Sequence, residues 1–293
     1  MEVFLQTLVF GLLIGGVYTL MSTGLTLVFG VMKIVNMGHG GFLIVAAYIS
    51  FSLWKVWGID PLIGAFIGAP IMGAIGLLMY KTVLERAQRI DRGLAIVATF
   101  ALAIIMEGVL GLIWGPDPTS TTPSYFNQVF KLGGIEIPKA QLYACLLAIG
   151  IVAALTLLIR FSWLGHSITA AAENPEGALL VGVEPAKVGA WIFAISVATT
   201  SFGGAALGFL YQFVPDSQDD WIGLTISVVI LGGLGSIPGA IAGGLVIGVA
   251  ESFTSTYISN QWTAAVPLVL ILILLTIRPQ GLLSLRGRED VGS

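Results

Sequence analysis

An all-α, polytopic bundle of transmembrane helices is the fold class this sequence predicts, and three observations predict it. Hydrophobic residues fill 56% of the 293 positions. Charged residues fill only 10%, where a water-soluble domain carries about 25%, so the chain has too little polar surface to face water on all sides. The mean hydropathy is +0.96, and the apolar residues are gathered into runs separated by charges and Gly/Pro punctuation. At about 20 apolar residues per crossing, the length accommodates about 8–10 spans with short loops. This reads as a single transmembrane domain over 1–293.

The apolar runs fall at roughly 4–29, 40–57, 61–82, 93–114, 140–159, 187–213, 222–234, 238–258 and 263–278. The first has neither a basic leading region nor an A-x-A cleavage site before a polar sequence, so it reads as a retained span. The seventh, at about 13 residues, is short for a crossing of about 20. Alternating the runs across a bilayer puts Lys33, Lys81, Arg86, Arg89, Arg92, Arg160, Lys187, Arg278, Arg286 and Arg288 on one side. Lys55, Lys131 and Lys139 fall on the other. An excess of Lys and Arg marks the cytoplasmic side, so the C-terminus is expected there. The outer loops read as 115–139, rich in Pro, Thr and Ser, and 214–221, where Asp216, Asp219 and Asp220 cluster. Trp54, Trp57, Trp114, Trp221 and Trp262 sit near outer span ends as interfacial anchors.

Two polar, glycine-rich stretches interrupt the helical pattern, giving broken or re-entrant helices. The first runs from Gly30 to Gly41 and contains Asn36, Gly38, His39 and Gly40; the second, Gly232 to Gly239, contains Gly233, Gly235 and Pro238. Irregular backbone at membrane depth is tolerated only where protein or a water-filled cavity covers it. Each stretch is therefore either a loop at the membrane surface or the lining of a pathway. A broken helix presents free N–H groups to a ligand, which makes Asn36 and His39 candidates for pathway lining. The glycines have a simpler use, because small-xxx-small spacing at Gly11/Gly15, Gly64/Gly68, Gly204/Gly208, Gly235/Gly239/Gly243 and Gly244/Gly248 lets helices approach closely.

Glu107 and Glu251 are carboxylates inside apolar runs. Such groups face a cavity or a partner; they are either substrate or ion contacts, or hydrogen bonds to a neighbouring helix. The second is favoured, because both lie nearer the outer end of their spans than the centre.

The loop from Arg160 to Lys187 is longer than a connector needs. Asn174 suits an N-cap, Pro175 the first helical position, Glu176 the positive helix start, and Gly182 a helix end. Two short helices in tandem follow, forming a docking platform for a cytoplasmic partner or an amphipathic piece on the membrane surface.

Several classes are excluded or disfavoured. The single cysteine, Cys145, rules out a disulfide framework and CxxC motifs. Two histidines, His39 and His166, leave no HExxH pair, and no metal site is expected. No G-x-x-x-x-G-K-[ST] phosphate loop occurs, and a net charge of −3 argues against nucleic acid. No nucleophile, base and orienter share a neighbourhood, so no catalytic residue is assigned and the chain is not read as an enzyme.

The runs Gly15–Leu20, Val35–Gly40, Glu173–Ala178, Leu231–Ala240 and Arg278–Leu282 resemble, in order and spacing, the permease subunits of branched-chain amino acid ABC importers. The resemblance covers nearly the whole chain. It implies a permease in a bacterial or archaeal plasma membrane, in contact with lipid, that forms the translocation pathway for branched-chain amino acids or a related small polar solute. Relatives in the wider family take urea, short amides or organic and aromatic acids; the other class is a stand-alone secondary transporter or channel, favoured by the broken helices but not by the docking loop. It further implies a second, homologous permease subunit, two cytoplasmic ABC ATPase subunits that use the ATP, and a periplasmic or extracellular solute-binding protein; this chain itself would need no cofactor. By the same resemblance Asn36 and His39 would lie by the broken-helix region of the pathway, and Tyr18, Gly38, Gly40 and Glu107 are grouped with them as substrate-pathway candidates. Gly165, Glu173, Asn174, Pro175, Glu176, Gly177 and Gly182 would belong to the ATPase coupling segment, and Gly232, Gly233, Gly235, Pro238 and Gly239 to the second helix break.

Overall fold

The computed structural model describes residues 1–278 and 280–283. In chain order these form α1 (Glu2–Met32), α2 (His39–Trp57), α3 (Pro61–Met79), α4 (Glu85–Ile90), α5 (Arg92–Trp114), a hairpin of β1 (Val129–Leu132) and β2 (Ile135–Pro138), α6 (Lys139–Phe161), α7 (Trp163–Glu173), α8 (Pro175–Leu180), α9 (Pro185–Leu210), α10 (Gln218–Gly232), α11 (Ile237–Tyr257) and α12 (Val266–Ile277). Eight helical stretches among the described residues are long and apolar enough to cross a membrane. The short seventh run is α10, with 15 residues; at 1.5 Å per residue it spans roughly 22 Å, less than the hydrocarbon thickness of about 30 Å. The chain is a multi-pass membrane protein.

Contacts at the helix ends define two faces. Gln6 and the Glu136 backbone exchange two hydrogen bonds, so α1 begins beside the hairpin. Phe4 meets Phe253 edge to face at 5.2 Å, which brings the end of α11 to the same face. At the other face Val31 and Met32 share a cleft with Glu85, Arg89, Ala171, Pro175 and Pro185. The end of the described chain lies there too: Leu282 and Leu283 donate backbone N–H groups to Leu231 O and Gly232 O, each at 2.9 Å. Lys33, Lys81, Arg86, Arg89, Arg92, Arg160, Lys187 and Arg278 all occupy positions at the ends of elements on this α7–α8 face, and Lys55, Lys131 and Lys139 on the hairpin face. Arg286 and Arg288 fall outside the described residues.

Small residues set the helix crossings. α1 runs antiparallel to α11, with Gly11 and Gly15 laid on Gly244 and Gly248. A methyl group added at Gly15 would lie 2.7 Å from Leu245 Cα and 2.8 Å from Gly244 O, so backbone touches backbone. Close approach of this kind replaces the hydrophobic driving force that lipid removes. Gly204 similarly seats α9 on the Leu43 carbonyl of α2. On the hairpin side, Tyr48 stacks near Trp114 at 4.8 Å and meets Phe213 edge to face at 4.9 Å, closing the core there.

Two segments on the hairpin face differ from the sequence reading. The loop at 115–139 contains the β-hairpin, whose turn Gly133-Gly134 takes φ of 54° and 87°. Two positive φ angles are what a two-residue hairpin turn needs, and the Gly-Gly pair was its signal. The run at 187–213 stops being helical at Leu210, because Phe213 leaves the helix to pair with Thr119 through two backbone hydrogen bonds of 2.9 Å. Among the tryptophans expected as interfacial anchors, Trp57 and Trp262 are exposed, whereas Trp114 and Trp221 pack on Tyr48 and Tyr211.

Candidate functional site

Three groups of candidate residues occupy three places in the bundle. The first is the break before α2. Lys33 adopts a left-handed conformation (φ 53°) and ends α1. The chain then folds back, so that α2 starts beside the middle of the bundle. Asn36 Oδ1 accepts from the Gly38 N–H at 3.1 Å, and Met37 N donates to Thr99 Oγ1 at 3.1 Å. His39 is fully buried, with Nε2 2.7 Å from the Met21 carbonyl of α1. Since a carbonyl only accepts, Nε2 carries a proton there. Gly40 and Gly41 admit the start of α10: a methyl at Gly40 would meet Gln218 O and Ile222, and one at Gly41 would lie 2.9 Å from Gln218 Oε1. Gln218 in turn donates from Nε2 to Glu107 Oε2 at 2.6 Å, tying α10 to α5. Asn36, Gly38, His39, Gly40 and Glu107 are thus gathered around the starts of α2 and α10.

Tyr18 stands apart from them. Its hydroxyl donates to Glu251 Oε2 at 2.7 Å and lies 3.4 Å from the Tyr211 hydroxyl. Both Tyr18 and Glu251 line a cavity of about 440 Å³ between α1, α10, α11 and the start of α12, with Asp219, Asp220, Trp221 and Leu224. The volume falls in the range of small-molecule sites. A second cavity of about 510 Å³, between α1, α6 and α11, is lined by residues such as Leu12, Gly16, Cys145 and Leu245 and carries no charged side chain. The hydrogen bond from Tyr18 to Glu251 was not expected, since no spacing in the sequence relates residues so far apart. Gln218 and Tyr211 were likewise missed, as their roles exist only in the packed bundle.

The second helix break lies on the α7–α8 face. Gly233 (φ 108°) and Gly235 (φ 82°) turn the chain between α10 and α11. Gly235 rests on Gly30 Cα, and Gly232 and Gly239 face each other at backbone distance. Ser236 Oγ accepts from Gly239 N at 3.1 Å and caps α11, whose first turn holds Pro238. This break is a tight helix connection whose glycines pack against each other and against α1.

The third group is the tandem-helix segment. Ser162 Oγ caps α7 by accepting from Gly165 N at 2.9 Å, and Gly165 lets α7 fold back against the Ile159 carbonyl of α6. Asn174 Oδ1 caps α8 by accepting from Gly177 N at 2.9 Å, with Pro175 in the first turn and Glu176 near the positive helix end. Glu173 ends α7, and Gly182 (φ 81°) follows the end of α8 at Leu180. Beyond the caps the segment presents apolar side chains to the outside: Trp163 is 79% exposed, Leu180 89% and Val181 73%. Exposed apolar side chains of this kind suit contact with a partner or with lipid.

On the hairpin face, Tyr125 donates to Asp60 Oδ1 at 3.2 Å and so ties the long loop to the start of α3. Burial, followed by the nearby Asp60 carboxylate, pushes the Tyr125 hydroxyl up from its usual range, which keeps it protonated and donating.

Comparison with known proteins places this geometry in a family. Residues 7–275 match the family model described as branched-chain amino acid transport system / permease component. The chain is 32% identical over 302 residues to the high-affinity branched-chain amino acid transport system permease protein LivH of Salmonella typhimurium, covering 98% of this chain and 97% of that protein. It is 23% identical to the permease protein LivM of Escherichia coli strain K12, covering 91% of this chain and 68% of that one. Among solved structures, PsaBC from Streptococcus pneumoniae in complex with Fab aligns over 96% of this chain and 93% of that chain, with a TM-score of 0.50 and 14% identity, a likeness of fold alone. With the family model spanning nearly all of its helices, the chain belongs to the branched-chain amino acid transport system permease family.

Proposed function

We propose that this chain is one permease half of an ATP-driven importer of branched-chain amino acids, paired with a second, homologous permease and driven by two cytoplasmic ATPase subunits. ATP hydrolysis resides on those partners, and an extracytoplasmic binding protein delivers the substrate. The observation that carries the reading is the α7–α8 segment, capped at both helix starts and exposing Leu180 and Val181 on the face that holds most of the basic residues. That face is taken as cytoplasmic by the distribution of Lys and Arg, which puts the C-terminus inside. Gly165, Glu173, Asn174, Pro175, Glu176, Gly177 and Gly182 shape the segment that enters the ATPase clefts. In this reading Tyr18, Asn36, Gly38, His39, Gly40 and Glu107 border the pathway, and Gly232, Gly233, Gly235, Pro238 and Gly239 form a packing hinge between α10 and α11.

ATP-driven leucine uptake into proteoliposomes holding the assembled complex tests the reading. Asn36→Ala removes the acceptor for the Gly38 N–H and is expected to lower uptake several-fold while the subunits still co-purify. Unchanged uptake kinetics removes Asn36 from the pathway. Uptake that persists without the ATPase subunits contradicts the importer reading altogether.

A further inference from the structure

The cavity of about 510 Å³ between α1, α6 and α11 belongs to neither helix break. Its walls carry no charge, and its two hydroxyl groups are already engaged: Thr19 Oγ1 donates to Gly15 O at 2.9 Å and Thr156 Oγ1 to Val152 O at 2.7 Å. A polar solute would give up its water there and gain no partner in return. The cavity opens sideways, since Leu12, Ile149 and Leu157 line it and are exposed on the outside of the bundle. Along α6 the lining runs from Cys145 to Leu157, roughly 18 Å at 1.5 Å per residue, close to the depth of one leaflet, about 15 Å. The volume spread over that length leaves a mean cross-section of roughly 28 Å², whereas a helix about 10–12 Å across needs at least about 80 Å². A space of this shape admits one extended hydrocarbon chain and excludes a helix.

One charged residue continues the wall of that cavity. Arg160 follows Thr156 by four positions and Leu157 by three, and at about 100° per residue it falls between Ile149 and Ala153 around the axis of α6. It lies in the last turn of α6, on the α7–α8 face, exposed, with its guanidinium 5.5 Å from the Phe161 ring centre. The ion pairs among the described residues, Arg89–Glu85, Lys131–Glu136 and Lys187–Glu184, do not involve it. Phe161 and Trp163 beside it are exposed, as aromatic side chains at headgroup depth are. A phosphate at this place meets a guanidinium, and no Asp or Glu lines the cavity to receive the ammonium of a zwitterionic headgroup. We propose that α1, α6 and α11 form a binding site for an anionic phospholipid of the leaflet on the α7–α8 side, one acyl chain filling the cavity and the headgroup phosphate resting on Arg160. The site is independent of the importer reading, since it uses only the lipid-facing surface of the chain.

Photocrosslinking in the assembled complex tests the site. The complex is placed in phosphatidylcholine nanodiscs holding a trace of phosphatidylglycerol or of phosphatidylcholine, each with a diazirine midway along one acyl chain. The phosphatidylglycerol probe is expected to label Leu12, Ile149 and Ile241 about fivefold more than the phosphatidylcholine probe, the factor one basic residue supplies near an anionic surface. Ile67 and Ile71, exposed on α3 with no Lys or Arg within two turns, are expected to take up both probes equally. Arg160→Gln should bring the cavity ratio close to one with the elution profile unchanged. Ala153→Trp, at an exposed position of the cavity wall, should lower cavity labelling by both probes several-fold and leave the labels on Ile67 as before. Equal labelling of the cavity by the two probes, a ratio that survives Arg160→Gln, or labelling indifferent to Ala153→Trp overturns the proposal. So does a cavity that stays unlabelled while Ile67 is labelled, a result that would put a protein partner over it.

Discussion

Leu180→Asp is expected to cut substrate-stimulated ATP hydrolysis by the assembled transporter by about 30-fold or more, while leaving the permease folded. Leu180 closes α8 and is 89% exposed. An acidic side chain at the end of α8 costs about 0.3–1 kcal/mol against the helix dipole, so an effect well beyond that belongs to the contact this side chain makes with a partner. Apolar anchors at interface centres are worth about 2 kcal/mol or more, which is roughly a 30-fold factor in an equilibrium. The readout is the ratio of ATP hydrolysis with loaded and with unloaded binding protein, alongside an elution profile that reports folding of the permease. A stimulation ratio equal to that of the unmodified chain removes α8 from the coupling interface.

The second large effect concerns the fold. Gly15→Val is expected to abolish recovery of folded protein, because the added side chain collides with the backbone of α11 at Leu245 and Gly244. A flexible neighbour could move aside; a helix backbone packed against α1 at both Gly244 and Gly248 cannot. Overpacking in a well-packed core costs about 1–3 kcal/mol and sometimes more, a large share of a total stability of about 5–15 kcal/mol. Gly108→Val is the control: Gly108 is exposed on α5 and an added methyl meets nothing within 4 Å. The yield of monodisperse folded protein from the two variants in the same detergent should separate them widely; equal yields contradict the glycine-packed crossing.

The spans were legible because lipid imposes a length and a composition on each crossing, and those survive in a one-dimensional record. The start of α8 was legible for a similar reason: Asn174, Pro175 and Glu176 act on their own neighbours, within a few residues. The hairpin at Val129–Pro138 left a sign in Gly133-Gly134, which was overshadowed by the Pro, Thr and Ser around it. Contacts across the bundle left none. Tyr18 and Glu251 are 233 residues apart, and Gln218 reaches Glu107 over 111, so no local pattern announces either pair. His39 was noticed as a polar residue in an apolar context, yet its partner is a backbone carbonyl at Met21, which side-chain chemistry does not reveal.

The importer proposal requires coupling between this permease and partners that hydrolyse ATP. The measurement that reaches it most directly is ATP hydrolysis by the reconstituted complex, read with the binding protein empty and then loaded with leucine. Stimulation by the leucine-loaded form, with leucine flux that stops when the ATPase subunits are left out, is the result predicted. Leucine flux that continues without those subunits, with no stimulation in their presence, would contradict it.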